Sequence, residues 1–370
     1  MADRYSPENR DKPKIVLTGG HLAPLLAVLD QLDGKAEPVV IGRKYTFEND
    51  TAESLECQIL TNRHIPFYNL SAPRLQRKFT RNTIPSFFKG PGSFARALSI
   101  LKREKPVAVL TFGGYIGFPV AAAAKILGIP VVLHEQTLDA GLTNKLIARI
   151  AKKICISHES SNRHFPKNKV VLTGNPVRKE IFLVRDKFEV PAGREVLLVM
   201  GGSSGAHRLN VLVEDAIQQL LEHYTVIHQT GDAQEFTDYD RLERLRSGLS
   251  FTRQKHYILK KFIQPDEIGW AYHNADMVLS RSGMNTVTEL LALGKRAVLV
   301  PLPFAQKNEQ KRNAQLLEQA GLGIIMEEKD MSADLLLKNL EKLKNMKSSH
   351  PAKKQDDAAE KIARAILSAI

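Results

Sequence analysis

Short runs of aliphatic and β-branched residues recur along the chain, each followed by a stretch whose apolar positions return every three or four residues. Residues 14–18 (KIVLT), 38–42 (PVVIG), 107–112 (VAVLTF), 130–133 (PVVL) and 153–157 (KICIS) read as strands. Residues 22–32, 93–104, 117–127 and 142–151 carry the helical spacing. A second series follows, with strands at 195–200 (EVLLVM), 224–228 (YTVIH), 255–259 (KHYIL), 276–280 (DMVLS) and 296–300 (RAVLV), and helices near 207–222, 266–273, 284–293 and 308–320. Two terminal helices are predicted at 331–346 and 352–369.

Strands that alternate with helices, and that are apolar along their whole length, belong to parallel sheets covered on both faces. The pattern therefore predicts an α/β protein with two doubly wound units. The Pro- and Gly-punctuated stretch 174–194 separates the two series. It divides the chain into an N-terminal domain over 1–178 and a C-terminal domain over 179–370, with the last helix, about 352–369, a candidate to pack back on the first. Two such units facing one another would leave a cleft, and ligands in such sheets sit at the carboxyl ends of the strands. A length of 370 residues, 43% of them hydrophobic and 25% charged, is what two ordinary cores require. No apolar run approaches the ~20 residues of a membrane span, and the first residues lack the apolar segment of a secretory signal, so a cytoplasmic protein is expected. Cys57 and Cys155 lie far apart in apolar runs and read as buried thiols.

Three strand-to-helix turns carry the candidate chemistry: Leu17-Thr18-Gly19-Gly20-His21, Gly201-Gly202-Ser203-Ser204-Gly205-Ala206, and Ser280-Arg281-Ser282-Gly283-Met284-Asn285-Thr286. Glycines let the backbone approach a ligand, and the following helix start offers free N–H groups to an anion. Arg281 would add positive charge to the third turn. A glycine pair can also be no more than a tight connection. Neither pair fits the dinucleotide or P-loop spacing. Together the turns point to a phosphate-bearing nucleotide. The balance of 53 basic against 40 acidic residues, or +13, independently predicts an anionic partner. It is concentrated at Arg74, Arg77, Lys78, Arg81, Lys89, Arg96, Lys102, Arg103 and Lys105.

The motifs TGGH (18–21), FGGY (112–115), GIPVVLHEQ (128–136), AGLTNK (140–145), GNPVR (174–178), GGSSGA (201–206) and SRSGMNTVTE (280–289), followed by Gln310 and Asn313, resemble in order those of the MurG family of peptidoglycan glycosyltransferases, glycosyltransferase family 28. The resemblance covers roughly residues 14–330. It implies a GT-B fold, an acceptor- and membrane-docking N-terminal domain, and a C-terminal domain for UDP-N-acetylglucosamine. It also implies inverting transfer of the sugar to the 4-hydroxyl of the muramyl sugar of lipid I, giving lipid II. Direct displacement needs a base, in-line positioning and stabilisation of the leaving diphosphate. His21 is the candidate base, its rival role being a phosphate contact or helix cap. Glu135 is the reserve, its rival role being a partner for His134 or Asn144. The resemblance further implies donor contacts from Thr18, Gly19, Gly20, Thr137, Arg178, Ser203, Ile263, Met284, Asn285, Thr286, Glu289, Glu309 and Gln310. Glu289 would accept two ribose hydroxyls, and Ile263 would meet uracil through its backbone. For Arg178 an interdomain salt bridge is the alternative. The acceptor and its phosphates fall to Gly19, Gly20, Tyr115, His134 and Asn144, while Asn313 caps or braces its loop.

The chain departs from the family where Val16 and Leu17 replace a further glycine pair, where Thr137 replaces Asn after HEQ, and where Glu309 replaces a neutral side chain. Neither a metal nor a cofactor is implied, and no ligand cluster stands in the sequence. Residues 74–103 interleave cations with Leu75, Phe79, Ile84, Phe87, Phe88 and Phe94, a composition suited to anionic head groups and to a peripheral place on the inner face of the cell membrane. A solvated loop and helix is the plainer reading. No nucleic-acid signature accompanies the cations, so nucleic acid is not an expected partner. The competing functions are a related GT-B enzyme with another acceptor, a UDP-N-acetylglucosamine 2-epimerase, and a non-catalytic scaffold that binds the lipid intermediate.

Overall fold

A computed structural model of the chain describes residues 12–45, 53–71, 83–202, 205–233, 235–304, 308–346 and 357–370, with the side chains of 83–90 left aside. Ser203 and much of the basic segment, from Arg74 to Arg81, lie outside the described residues, as do the side chains of Ile84, Phe87, Phe88 and Lys89.

The chain divides into two compact units. The first comprises Met1–Lys44, Glu56–Pro176 and Asp356–Ile370, and the second Tyr45–Leu55 and Val177–Gln355. In the first unit the order is β1 (Lys14–Thr18), α1 (Leu22–Leu32), β2 (Glu37–Gly42), α2 (Leu55–Asn62), β3 (Phe67–Asn69), α3 (Thr83–Glu104), β4 (Ala108–Thr111), α4 (Gly114–Ile126), β5 (Val131–Glu135), α5 (Leu142–Ile150), β6 (Lys153–Ile156) and β7 (Val170–Leu172). All the pairings are parallel, in the spatial order β3-β2-β1-β4-β5-β6-β7. The central strands are buried along nearly their whole length, which is why they read as unbroken apolar runs. Ala97, Leu101, Ile116, Val120 and Ile147 from the helices close one face over Val16, Val109 and Leu133. Phe94, from the expected docking segment, is half-buried and packs on this core.

The second unit repeats the plan: β8 (Glu195–Met200), α6 (His207–His223), β9 (Tyr224–Gln229), α7 (Asp238–Ser247), α8 (Phe251–Lys255), β10 (Tyr257–Lys260), α9 (Pro265–Asn274), β11 (Met277–Ser280), α10 (Met284–Leu293), β12 (Arg296–Leu299), α11 (Glu309–Gln319), β13 (Gly323–Ile325) and α12 (Ala333–Lys344). Its parallel sheet has the order β10-β9-β8-β11-β12-β13, with apolar clusters on both faces. Local chemistry sets the helix starts. Pro265 opens α9 while Glu267 reaches back to the Gln264 N–H at 3.0 Å, and Ser332 Oγ accepts the Leu335 N–H at the start of α12. A final helix, α13 (Ala358–Leu367), belongs to the first unit. It packs on α1, burying Ala358, Ile362, Ala363 and Ile366, and Lys152 Nζ donates to the Ala369 carbonyl at 2.7 Å.

In both sheets the strand order reverses beside the first strand, between β1 and β4 and between β8 and β11. The turns after these four strands carry the glycine motifs.

Candidate active site

In the first unit, Thr18 ends β1 with its hydroxyl 3.0 Å from that of Thr111 at the end of β4, and it accepts the Phe112 N–H at 3.3 Å. Fully buried, this pair ties the two neighbouring glycine turns together. The Gly19 N–H donates to the Ile41 carbonyl (2.8 Å), and the Gly20 N–H donates to Glu56 Oε2 (2.7 Å). Both amides expected to cradle a phosphate are therefore engaged inside the protein. Gly20 has φ +101°, a conformation that needs glycine, and the chain leaves it to place His21 at the N-cap of α1.

The His21 ring is half-buried against the Gly113-Gly114 turn, where a Cβ added to Gly114 would lie 3.9 Å from its Cε1. Its Nδ1 is buried and has no hydrogen-bond partner among the described residues. Burial lowers its pKa to about 4, so the imidazole is neutral throughout the physiological range. Gly113 and Gly114 both adopt positive φ. Their amides donate to Thr111 Oγ1 and Asn144 Oδ1, at 3.0 and 3.3 Å. Tyr115 follows, with the Arg43 guanidinium 5.7 Å from its ring centre.

The HEQ and AGLTNK motifs meet at Glu135. Buried at the end of β5, its carboxylate accepts the Thr137 N–H (2.9 Å), the Gly141 N–H (3.4 Å) and Asn144 Nδ2 (2.8 Å), with Thr137 Oγ1 at 2.7 Å. Burial raises its pKa against these bonds. Glu135 thus braces β5, α5 and, through Asn144, the Gly113-Gly114 turn. Thr137 Oγ1 is also 2.6 Å from the Asp139 carbonyl, so its hydroxyl too is used internally. His134 is fully buried and edge-on to Phe112. Its Nε2 lies 3.0 Å from Ser157 Oγ and 3.3 Å from the Gly174 carbonyl, and burial takes its pKa to about 3.

In the second unit, Gly201 and Gly202 follow β8, and the Gly202 carbonyl accepts Gln229 Nε2 at 3.0 Å. The other end of the Gln229 amide accepts the Ile263 N–H at 3.0 Å. Gln229, at the end of β9, thus couples the glycine turn to the backbone expected at uracil. After β11, Gly283 caps α10, and the main chain of Met284, Asn285 and Thr286 forms the helix start. Arg281 does not supply charge there. Its guanidinium pairs with Glu328 and donates to the Val300 carbonyl (3.3 Å), because in a buried setting the nearest carboxylate holds it.

Glu289, on α10, accepts Arg178 Nε at 2.7 Å, Arg178 Nη2 at 3.2 Å and the Tyr272 hydroxyl at 2.9 Å. The salt bridge is not interdomain, since Val177–Gln355 form a single stretch of the second unit. A carboxylate offers about four acceptor positions, so three donors leave room for about one further hydroxyl rather than two. Gln310 Oε1 accepts the Leu302 N–H (3.0 Å), Glu309 is the first residue of α11, and Asn313 Nδ2 donates to the Ser282 carbonyl (3.1 Å).

The expected residues form two groups, one in each unit: Thr18 to His21, Tyr115, His134, Glu135, Thr137 and Asn144 in the first, and Arg178, Ile263, Met284 to Thr286, Glu289, Glu309 and Gln310 in the second. Sequence reasoning passes over Glu56 and Gln229, which reach glycine turns through space, and Tyr272, which reaches Glu289, all from segments without a motif. No group of three or more His, Cys, Asp or Glu side chains able to hold a metal ion occurs among the described residues. Nor is any described helix long and apolar enough to cross a membrane.

Residues 17–156 match the glycosyltransferase family 28 N-terminal domain, and residues 196–369 the glycosyltransferase family 28 C-terminal domain. The chain is 32% identical over 349 residues to a protein of Desulforamulus reducens, covering 90% of this chain and 91% of that one. It is 36% identical over 337 residues to one of Caldicellulosiruptor saccharolyticus, with 88% and 86% covered. Both relatives are named UDP-N-acetylglucosamine--N-acetylmuramyl-(pentapeptide) pyrophosphoryl-undecaprenol N-acetylglucosamine transferase. Among solved structures it resembles Acinetobacter baumannii MurG, with TM-score 0.62, 27% identity, and 96% and 100% of the chains covered. It also resembles the S. aureus MnaA–UDP complex, with TM-score 0.65, 15% identity, and 97% and 98% covered, a likeness of fold alone.

Proposed function

Since the chain belongs to glycosyltransferase family 28, with a GT-B pair of parallel α/β units, we propose that it transfers N-acetylglucosamine from UDP to the 4-hydroxyl of the muramyl sugar of lipid I, forming lipid II with inversion at the anomeric carbon. The chemistry rests on one observation above all: a neutral His21 imidazole at the start of α1, with a nitrogen that no described protein group engages. The acceptor hydroxyl oxygen bonds to the anomeric carbon as the bond from that carbon to the UDP oxygen breaks. The bonding pair leaves with UDP, and the hydroxyl proton passes to His21. A pKa of about 4 makes the free enzyme's imidazole a weak base, and the negative pyrophosphate of the bound substrates raises it when the proton must be taken.

On the donor side, the amides of Met284, Asn285 and Thr286 face the diphosphate and take up the charge that develops on it. The Ile263 backbone, set by Gln229, reads uracil, and Glu289 takes a ribose hydroxyl while Arg178 and Tyr272 hold it in place. Gln310 and Glu309 lie by the sugar, and Ser203 supplies a hydrogen-bond donor to the UDP-sugar. Thr18, Gly19, Gly20, Tyr115, His134, Glu135, Thr137 and Asn144 form the framework that presents His21 to the acceptor.

A lipid-borne acceptor requires docking, which we assign to residues 74–103 on the cytoplasmic face of the membrane, with no nucleic-acid partner. Each cation adds roughly 1 kcal/mol near an anionic surface. Binding to vesicles containing anionic lipid therefore weakens steeply as salt rises. Binding indifferent to salt removes the charge-led account. The decisive assay of function follows label from UDP-N-acetylglucosamine into lipid I. An enzyme that binds the donor and transfers nothing is a scaffold, and one that converts UDP-N-acetylglucosamine without acceptor is an epimerase.

A further inference from the structure

Glu56 stands on the first turn of α2, outside every motif, yet its carboxyl group lies inside the first glycine turn. Oε2 accepts the Gly20 N–H at 2.7 Å. Oε1 is buried without a hydrogen-bond partner among the described residues, against the bare faces of Gly19 and Gly42. A Cβ at either glycine would overlap it, so both positions are cut to admit this carboxyl. The residue is 8% exposed. A buried carboxyl with one bare oxygen costs stability, and a side chain that only filled the space would not carry that cost. The group it holds is the amide immediately before His21.

We propose that Glu56 is a positioning residue for the reaction, its carboxylate fixing Gly20 and thereby the direction in which His21 leaves the turn, and its protonation releasing that hold. The inference rests on the assignment of His21 as the acceptor-side base. Burial raises the pKa of Glu56 to about 7, opposed by the Gly20 amide and by the charge of Arg43. Among the described residues, the other groups that the structure places against the carboxyl are uncharged: Gly19 after β1, Gly42 at the end of β2, and the Phe67 ring of β3 beside Gly42. His21 is neutral in this range. A carboxylate is a stronger acceptor than a carboxylic acid, so the Gly20 bond weakens as the pH falls through about 7. The consequence is specific. The acid limb of kcat/KM, which reports groups of the free enzyme, follows Glu56 near neutrality, well above the titration of the free enzyme's His21 near 4.

The test is the pH profile of kcat/KM for sugar transfer to lipid I for the full chain and for Glu56→Gln, with UDP binding measured on the same preparations. The wild type shows an acid limb near pH 7. In Glu56→Gln the limb moves down by about two pH units or more, kcat on the alkaline plateau falls by less than about tenfold, and UDP affinity is unchanged within about twofold. A limb that stays near pH 7 in the variant overturns the proposal, as does a loss of UDP affinity equal to the loss of kcat. Should Glu56→Gln not fold, the Gly20 backbone amide of the wild-type chain, followed by NMR from about pH 5 to about pH 9, decides instead. It titrates near pH 7 if Glu56 controls the turn, and a flat response refutes the inference. If the wild type transfers no sugar at any pH while the Gly20 amide still titrates, the assignment of function fails and the control of the turn by Glu56 stands.

Discussion

Arg178, Tyr272 and Glu289 make a triad in which the Glu289 carboxylate accepts from both others, so its removal has two effects that can be measured apart. Glu289→Ala strands a guanidinium that burial would push down and that this carboxylate, more than Tyr272 or Glu180, holds above its usual pKa, and is expected to lower stability by about 3–5 kcal/mol in urea denaturation. Glu289→Gln keeps the shape and one acceptor oxygen, so it loses less stability while still weakening UDP binding. His21→Ala behaves in the opposite sense: kcat falls by about 10²–10⁴ with donor affinity unchanged, as steady-state kinetics and UDP titration will show. Equal loss in both would make His21 a binding residue. At this scale the sequence exposed the groups that lie on turns, where glycine, hydroxyl and imidazole stand next to one another along the chain. It could not expose Glu56 or Gln229. Their partners are 36 and 34 residues away, and only the folded sheet brings them together.

At the scale of elements, the long central strands were legible because burial on both faces leaves an apolar run, and α1 and α10 have the bounds their spacing predicts. The strands β3, β7 and β13 are three residues long and carry no such run, with Leu172 of β7 largely exposed. Helix α7 buries only Asp238 and Leu242, so it shows no apolar stripe to read. Helix α4 starts at Gly114, ahead of the predicted 117, because the glycines that form the turn also open the helix. That turn gives a prediction. In Gly113→Ala the new methyl group would overlap the Asn144 amide, and the residue must keep φ +78°. The variant is expected to lose about 1–3 kcal/mol or more. Because Asn144 bridges Glu135 to Gly114, the double variant Gly113→Ala/Asn144→Ala should lose less than the sum of the two single variants.

For the molecule as a whole, the buried titratable groups set the pH range of stability, and they do so with opposite signs. His21, His134 and His228 are pushed by burial to about 4, 3 and 3 from 6.5. The stability tied to their neutrality is complete above about 6.5 and drains away as the pH falls through those lowered values. Glu56 and Glu135 are shifted up from 4.5, Glu56 to about 7, so their contribution is complete below 4.5 and is lost as the pH rises. The two sets oppose each other between 4.5 and 6.5, and only the histidines act below. Stability should therefore change little across the mildly acidic range and collapse below about pH 4.5, which thermal melts at stepped pH will test. Glu56→Gln removes one arm of the balance: relative to wild type it gains as the pH rises from 4.5 to about 7, by up to about 3 kcal/mol for a shift of that size.

Helix α13 lies at the far end of the sequence and packs against α1, near its beginning. During synthesis, the unit that starts first is therefore sealed last, after residues 177–355 have left the ribosome. Until then the side of α1 on which α13 packs stays open to chaperones or to neighbouring nascent chains. Shortening or blocking the segment beyond residue 357 should harm the yield of folded protein more than its distance from the chemistry suggests.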